Sequence, residues 1–250
     1  GIGNLKKPLK IAIYSGSIPS TTFIENLING VAMHHKVLLF GKQTSKSIYN
    51  FKNISCFPTL EKKIENIIVT TWRTFRLLIR YPKQLVILWY QMKSISGVTA
   101  KFHWWSRYVP VLLNRPDIFH IQWAKDLKKW IFLKEKLNCK IILSLRGAHI
   151  NYSPIANLQL ASEFRRFFPK IDGFHAVSEA IAKEAQKYGV EPENIQLIHS
   201  LIPQRTFDLF ELPNEKKDNI LRIISVGRFH WKKGYGVALN ACKFLKERKI

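Results

Sequence analysis

Residues 9–31, LKIAIYSGSIPSTTFIENLINGV, decide the fold. Residues 9–15 form a short apolar run, the turn-formers Gly16, Ser17 and Pro19 interrupt it, and after Ser20 the apolar residues Phe23, Leu27, Ile28 and Val31 recur at helical spacing. The order is strand, loop, helix. Further apolar runs at 36–40, 54–57, 117–122, 140–145, 173–177 and 195–199 alternate with helical stretches, a pattern that implies a parallel sheet covered on both faces.

Beyond Pro203 the alternation lapses. Residues 211–218 (ELPNEKKD) are polar and have the composition of a linker, after which 220–226 read as a new strand. Ala238, Ala241, Cys242 and Leu245 then give a final helix an apolar face at i, i+3, i+4 and i+7. The expected class is α/β: a Rossmann-like parallel sheet flanked by helices over residues 1–210, a linker at 211–219, and over 220–250 the first βα unit of a second Rossmann-like domain. One βα unit cannot cover its own apolar face, residue 1 is Gly rather than Met, and no stop signal follows the last helical pattern. A piece of a longer protein is therefore expected.

Composition narrows the partners. The chain has 250 residues, is 46% hydrophobic and carries 40 Lys and Arg against 17 Asp and Glu, a formal charge of +23 that points to an anionic partner. Nucleic acid, an anionic membrane surface and phosphorylated substrates all fit that field. Cys56, Cys139 and Cys242 are far apart and show no CxxC spacing, which argues against a disulfide framework or a zinc site and fits a reducing cytosol. No run of 18 or more uncharged apolar residues is present, and residues 1–10 lack a signal-peptide core. No DxD pair is present to seat a sugar-nucleotide metal, and the histidines lack metal-ligand spacing supported by carboxylates, so no metal is expected.

The stretch 224–242, ISVGRFHWKKGYGVALNAC, places Arg228 and Lys233 beside the start of a helix, whose unpaired amides and partial positive charge suit a diphosphate. It is neither a Walker A loop nor GxGxxG, and an ordinary turn with solvated bases has the same spacing. Gly227-Arg228-x-x-x-x-Lys233-Gly234 after an apolar strand resembles the signature that opens the second domain of glycosyltransferase family 4 enzymes with the GT-B fold. Pro116-Asp117-x-x-His120, Leu145-Arg-Gly-Ala-His149, residues 171–178 (IDGFHAVS) and residues 20–24 (STTFI) fall in the family's order, the last being similar to the exopolysaccharide- and lipopolysaccharide-building members.

The resemblance implies a retaining, metal-independent transfer of a sugar from a UDP- or GDP-linked donor to a glycan or lipid-linked acceptor in cell-surface polysaccharide synthesis, with no cofactor beyond that donor. It places the acceptor mainly in the N-terminal domain and the donor in the C-terminal one, so the chain by itself is expected to be inactive. Arg228 and Lys233 would neutralise the departing nucleotide diphosphate. Gly16 ends the first strand, where open α/β sheets bind ligands, and is assigned to the donor diphosphate. Arg146 stands where family members commonly have His; it and His149 are the candidate catalytic residues, with surface-loop roles as the alternative. His120 and Ser178 are candidate acceptor contacts, beside structural readings as a hydrogen-bonded strand histidine and a helix cap.

Residues 66–116 contain no Asp or Glu but eight basic residues and nine aromatics. Arg73, Arg76, Arg80, Trp72, Trp89, Trp104 and Trp105 suit a surface lying at the headgroup level of an anionic membrane, which with the resemblance implies a cytoplasmic protein held peripherally on the inner face. The same residue types could stack bases and pair phosphates of single-stranded nucleic acid, so a non-enzymatic nucleic-acid-binding α/β protein is the alternative. With the resemblance, nucleic acid is the less favoured partner.

Overall fold

The computed structural model describes residues 8–45, 49, 51–151, 153–202, 204–209 and 222–248. The elements run β1 (Lys10–Ile18), α1 (Thr22–Ala32), β2 (Lys36–Gln43), β3 (Ile54–Thr59), α2 (Lys63–Arg80), α3 (Pro82–Lys93), α4 (Val98–Asn114), β4 (Ile118–Ile121), α5 (Leu127–Trp130) and α6 (Phe132–Leu137). They continue with β5 (Lys140–Leu145), α7 (Gly147–Asn151), α8 (Ser153–Ala156), α9 (Leu158–Phe167), β6 (Gly173–Ala176), α10 (Glu179–Gln186), β7 (Ile195–Leu197), α11 (Gln204–Asp208) and α12 (Tyr235–Glu247). The chain divides into two compact units, Gly1–Gln204 and Arg205–Ile250.

The first unit is a seven-stranded sheet in the order β3-β2-β1-β4-β5-β6-β7, with every pairing parallel. The inner strands of a parallel sheet are covered on both faces, which is why they read as nearly continuous apolar runs. Alternate residues feed two cores. Ala12, Tyr14, Leu38, Phe40, Phe119 and Leu143 pack on one face around Trp130, and Ile13, Val37 and Leu39 pack on the other against Ile24, Ile28 and Ala32 of α1. The buried stripe of α1 is thus Ile24–Ile28–Ala32, and Phe23, expected on the apolar face, turns outward toward Arg146.

Two departures from the sequence pattern matter. β1 does not stop at Gly16: it continues to Ile18 through a register shift against β2, after which Gly16 pairs with Gly41. Gly16 has φ +89° and Gly41 φ +148°, conformations that L side chains rarely adopt. The stretch 66–116 is the body of three helices, α2, α3 and α4, inserted between β3 and β4.

In the second unit, α12 forms as expected, but the described residues 222–226 have no strand partner. A strand is held by ladder hydrogen bonds to a neighbour. The expected linker, 211–219, lies outside the described residues, as do residues 220 and 221. Among the described residues no helix is long and apolar enough to cross a membrane.

Candidate functional site

The carboxyl ends of the parallel strands meet on one rim of the first unit, where open α/β sheets collect ligands. A hydrogen-bonded network runs beneath that rim across β4, β5 and β6. Ser144 of β5 is fully buried, stands opposite His175 of β6 in register, and links three neighbours. Its Oγ lies 2.9 Å from His120 Nε2, 3.0 Å from His175 Nδ1 and 3.4 Å from Gln122 Oε1.

The chemistry orders the protons. His175 Nε2 lies 2.9 Å from the Ile198 carbonyl oxygen, which can only accept, so this nitrogen carries the hydrogen and Nδ1 is an acceptor. The single Ser144 hydroxyl hydrogen points to that Nδ1, the nearer acceptor, and is shared with the longer Gln122 Oε1 contact, while Oγ accepts from His120 Nε2–H. Both imidazoles are neutral in this arrangement. Burial pulls His120 down to about 3, helped by His175 and Arg146. Burial also lowers His175, with Arg146 adding to it and the bond to Ile198 opposing.

Arg146 caps the network. Its Nη2 donates to Gln122 Oε1 at 3.0 Å and its guanidinium lies 4.5 Å over the Phe23 ring. Burial pulls this arginine down to about 10, so it stays charged at neutral pH. Phe23 meets Trp123 edge-on, and Trp123 Nε1 donates to the Ser15 carbonyl at 3.1 Å. A chain of direct contacts therefore joins Arg146 to the Gly16 turn.

His120 is accordingly part of the support under Arg146. Ser178 is the N-cap of α10, its side chain accepting from the Ile181 amide at 3.4 Å. His149 belongs to α7, but its side chain lies outside the described residues. Sequence reasoning assigned no role to Ser144 or His175. Their signal was a polar residue at an inward position of an apolar strand.

The network makes stability acid-sensitive. Between pH 6.5, the ordinary value, and about 3, the unfolded chain holds a proton on His120 that the folded chain refuses, so stability falls as acid is added through that window. The thermal midpoint is expected to drop as pH is lowered from 6.5 toward 4, less steeply in His120→Asn. An equal slope in both proteins would exclude His120 as a titrating group.

In the second unit, a short 3₁₀ turn, Trp231–Lys233, leads into α12 through Gly234, the N-cap at φ +68°. A Cβ on Gly227 would stand 2.9 Å from the Tyr235 hydroxyl and 3.5 Å from Lys233 Cδ. The absence of that Cβ lets the Gly227-Arg228 backbone lie against the first turn of α12 and against the Lys233 stem. Phe229 stacks on Tyr235 at 5.6 Å. Arg228 and Lys233 are exposed.

The residues expected on a membrane face divide. Trp72 and Trp89 are 60% and 53% exposed, and Arg76 and Arg80 are also exposed. Arg73 is half-buried and donates to the Pro58 carbonyl at 2.9 Å, Trp105 Nε1 donates to Thr74 at 2.9 Å, and Trp104 packs on Tyr108 beneath Lys129. Ile64, Ile68, Ile79, Val86 and Tyr90 join the exposed set instead.

The profile of Glycosyltransferase Family 4 matches residues 20–203. No curated protein matches the chain. Among solved structures, the chain is similar to Anabaena Alr3699/HepE in complex with UDP and glucose, at 12% identity over 77% of this chain and 44% of that one, with a TM-score of 0.41. It is similar also to Anabaena Alr3699/HepE in complex with UDP-glucose, at 11% identity over 77% of this chain and 44% of that one, with a TM-score of 0.41. The chain spans less than half the length of those structures.

Proposed function

The chain belongs to Glycosyltransferase Family 4, and from that premise we propose that it serves a retaining, metal-independent transfer of a sugar from a UDP- or GDP-linked donor to a glycan or lipid-linked acceptor. The first unit is the acceptor side of a GT-B enzyme, and the loop before α12 belongs to the donor side. The observation that carries this reading is the packing of Gly227 against Tyr235 and Lys233, which sets two cations at the entry of a helix whose first amides point outward. Arg228 and Lys233 take the charge of the leaving nucleotide diphosphate, and Gly16 is a phosphate-binding turn at the rim of the first unit. Arg146 orients an oxygen of the substrate from its seat on Gln122 and Phe23, with His149 as the second catalytic candidate, and His120 and Ser178 serve the acceptor side through what they hold, the network under Arg146 and the start of α10.

The exposed apolar residues of α2 and α3, with Arg76, Arg80 and Lys83 among them, form the peripheral membrane face at the cytoplasmic surface, in the service of polysaccharide synthesis. Scattered apolar side chains are ordinary on a surface, but a cluster on adjoining helices marks an interaction site.

One experiment tests both parts. The full-length protein is incubated with anionic vesicles, labelled UDP- or GDP-sugar and a chelator, and the pellet is assayed for protein and for transferred label. The expected result is binding that weakens with salt and transfer, with retained anomeric configuration, that survives the chelator. Loss of transfer on chelation would overturn the metal-independent mechanism, and absence of the protein from the pellet at low salt would overturn the membrane face.

A further inference from the structure

One cavity of the first unit lies away from the strand rim. It is an open apolar groove of about 830 Å³ between α2, α3 and α4, floored by Phe75, Leu78, Trp89, Met92, Phe102 and Trp105, with Lys93 and Lys101 along its edge. Lys93 Nζ sits 4.0 Å over the Trp89 ring. Phe102 is shared with a second pocket of about 340 Å³, and His103 and Arg107 are shared between that pocket and a third of about 380 Å³. The third pocket reaches Tyr14, Ser15 and Gly16 at the carboxyl end of β1. One side of α4 thus leads from an apolar groove to the ligand-binding rim of the sheet.

The character of the path changes along its length. At the far end Arg107, Lys125 and Lys129 surround Asp126, and Lys129 Nζ lies 4.1 Å over Trp104. Asp126 is the one carboxylate lining that pocket among the described residues. Arg107 Nη1 donates to His103 Nε2, and Arg107 Nε is buried with no hydrogen-bond partner among the described residues. The cations crowd one another: Lys129 is lowered by burial and by Arg107, Lys125 and Lys128 against the pull of Asp126, and His103 is lowered by burial, Arg107 and Lys129. In the middle pocket Glu61 is already paired with Lys42 at 3.1 Å. An anion at the far end would relieve that excess, and nothing acidic in residues 66–116 would repel one on the way in.

We propose that this path is a single site for an amphiphile, a long hydrocarbon chain in the α2–α4 groove ending in a phosphate or diphosphate held by Arg107 and Lys129 beside Gly16. The sugar acceptor is then a hydroxyl carried on an anionic lipid phosphate: its oxygen bonds the donor sugar's anomeric carbon as the bond to the nucleoside diphosphate breaks, its proton going to that diphosphate, and the groove is where the lipid chain leaves the bilayer. This rests on the acceptor-side role given above to the first unit, and it adds the chemical class of the acceptor. The combination of apolar lining with a few convergent polar groups, on the scale of roughly 300–1,000 Å³, is what small-ligand sites require.

Direct binding tests it without sugar transfer. Monomeric decyl phosphate, decanol and inorganic phosphate are titrated into the full-length protein, followed by tryptophan emission and calorimetry. Decyl phosphate is expected to bind at least about tenfold more tightly than either of the others, a difference of ~1.4 kcal/mol. Arg107→Met, or Lys129→Gln where the first does not fold, should bring decyl phosphate down to the affinity of decanol. Phe102→Glu at the exposed joint should weaken decyl phosphate and decanol together. Equal affinity for the three probes, variants that bind as the parent does, or binding to anionic vesicles without binding to monomeric decyl phosphate would each overturn the site. Transfer to a soluble glycan with no decyl phosphate binding would sink this inference alone. Decyl phosphate binding with no transfer to any acceptor would sink glycosyl transfer and leave the site standing.

Discussion

Replacing Arg228 and Lys233 together with alanine in the full-length protein is expected to lower kcat by at least about 10²-fold, the usual cost of removing a donor aimed at charge that develops in the transition state. A sugar nucleotide that loses its sugar leaves negative charge on the diphosphate, so cations at the entry of α12 act more strongly on the transition state than on the bound donor. KM for the donor should therefore rise less than kcat falls, and affinity for the free nucleoside diphosphate product should drop and lose part of its salt dependence. Both side chains are exposed, and exposed substitutions of this kind usually shift stability by no more than ~0.5 kcal/mol, so the thermal midpoint should hardly move. Arg228→Lys with Lys233→Arg keeps the charge and should recover part of the rate. Unchanged turnover and nucleotide affinity in the alanine double variant would remove the donor-side assignment.

The seven strands of the first unit were all legible, the inner ones because a largely buried strand has to be an apolar run, and the edge strands β3 and β7, which bury no residue, because they keep the alternation with helices. What lay across strands was not. Ser144, His175, His120 and Gln122 are 22 to 31 residues from their partners in the network, and only the register of β4, β5 and β6 brings them to one hydroxyl. Gln122 was visible as a same-face neighbour of His120, whereas Ser144 reads as one polar letter in IILSL. Arg146 was found through its place after β5, but its partners Gln122 and Phe23 come from β4's end and from α1. Of the strand expected at 220–226, the described residues 222–226 do not form one, for a different reason: the pattern is sound, and Ile223, Ile224 and Val226 are exposed with no ladder partner among the described residues. In 66–116 the composition stood out while the geometry did not, since tryptophans of one helix, Trp104 and Trp105 of α4, serve different pockets.

Gly41 carries the clearest unread constraint, and Gly41→Ala is expected to destabilise the fold by about 2–6 kcal/mol, the sum of a strained conformation and an overpacked contact at ~1–3 kcal/mol each. A Cβ there would lie 2.7 Å from Gly16 C, 2.8 Å from Gly16 O and 2.9 Å from Ser17 N. All three are backbone atoms, so no rotamer change relieves them, and φ +148° disfavours a side chain independently. The shift has to be taken up by the Gly16 turn, because Gly41 is fixed on its other side by β3, where Thr59 Oγ1 donates to the Gly41 carbonyl at 3.1 Å. For a chain of this size the thermal midpoint should fall by roughly 4–24 °C. Gly30→Ala supplies the contrast: Gly30 is exposed in the last turns of α1, nothing stands within 4 Å of the added methyl, and helix propensity favours it by ~0.5–1 kcal/mol. Because the Gly16 turn also forms the end of the α4 path, Gly41→Ala should weaken decyl phosphate binding at temperatures where the variant remains folded, and Gly30→Ala should not. A Gly41→Ala protein as stable as Gly30→Ala would mean that β1 and β2 do not approach this closely, and the bulge that aims Gly16 at the rim would have to be redrawn.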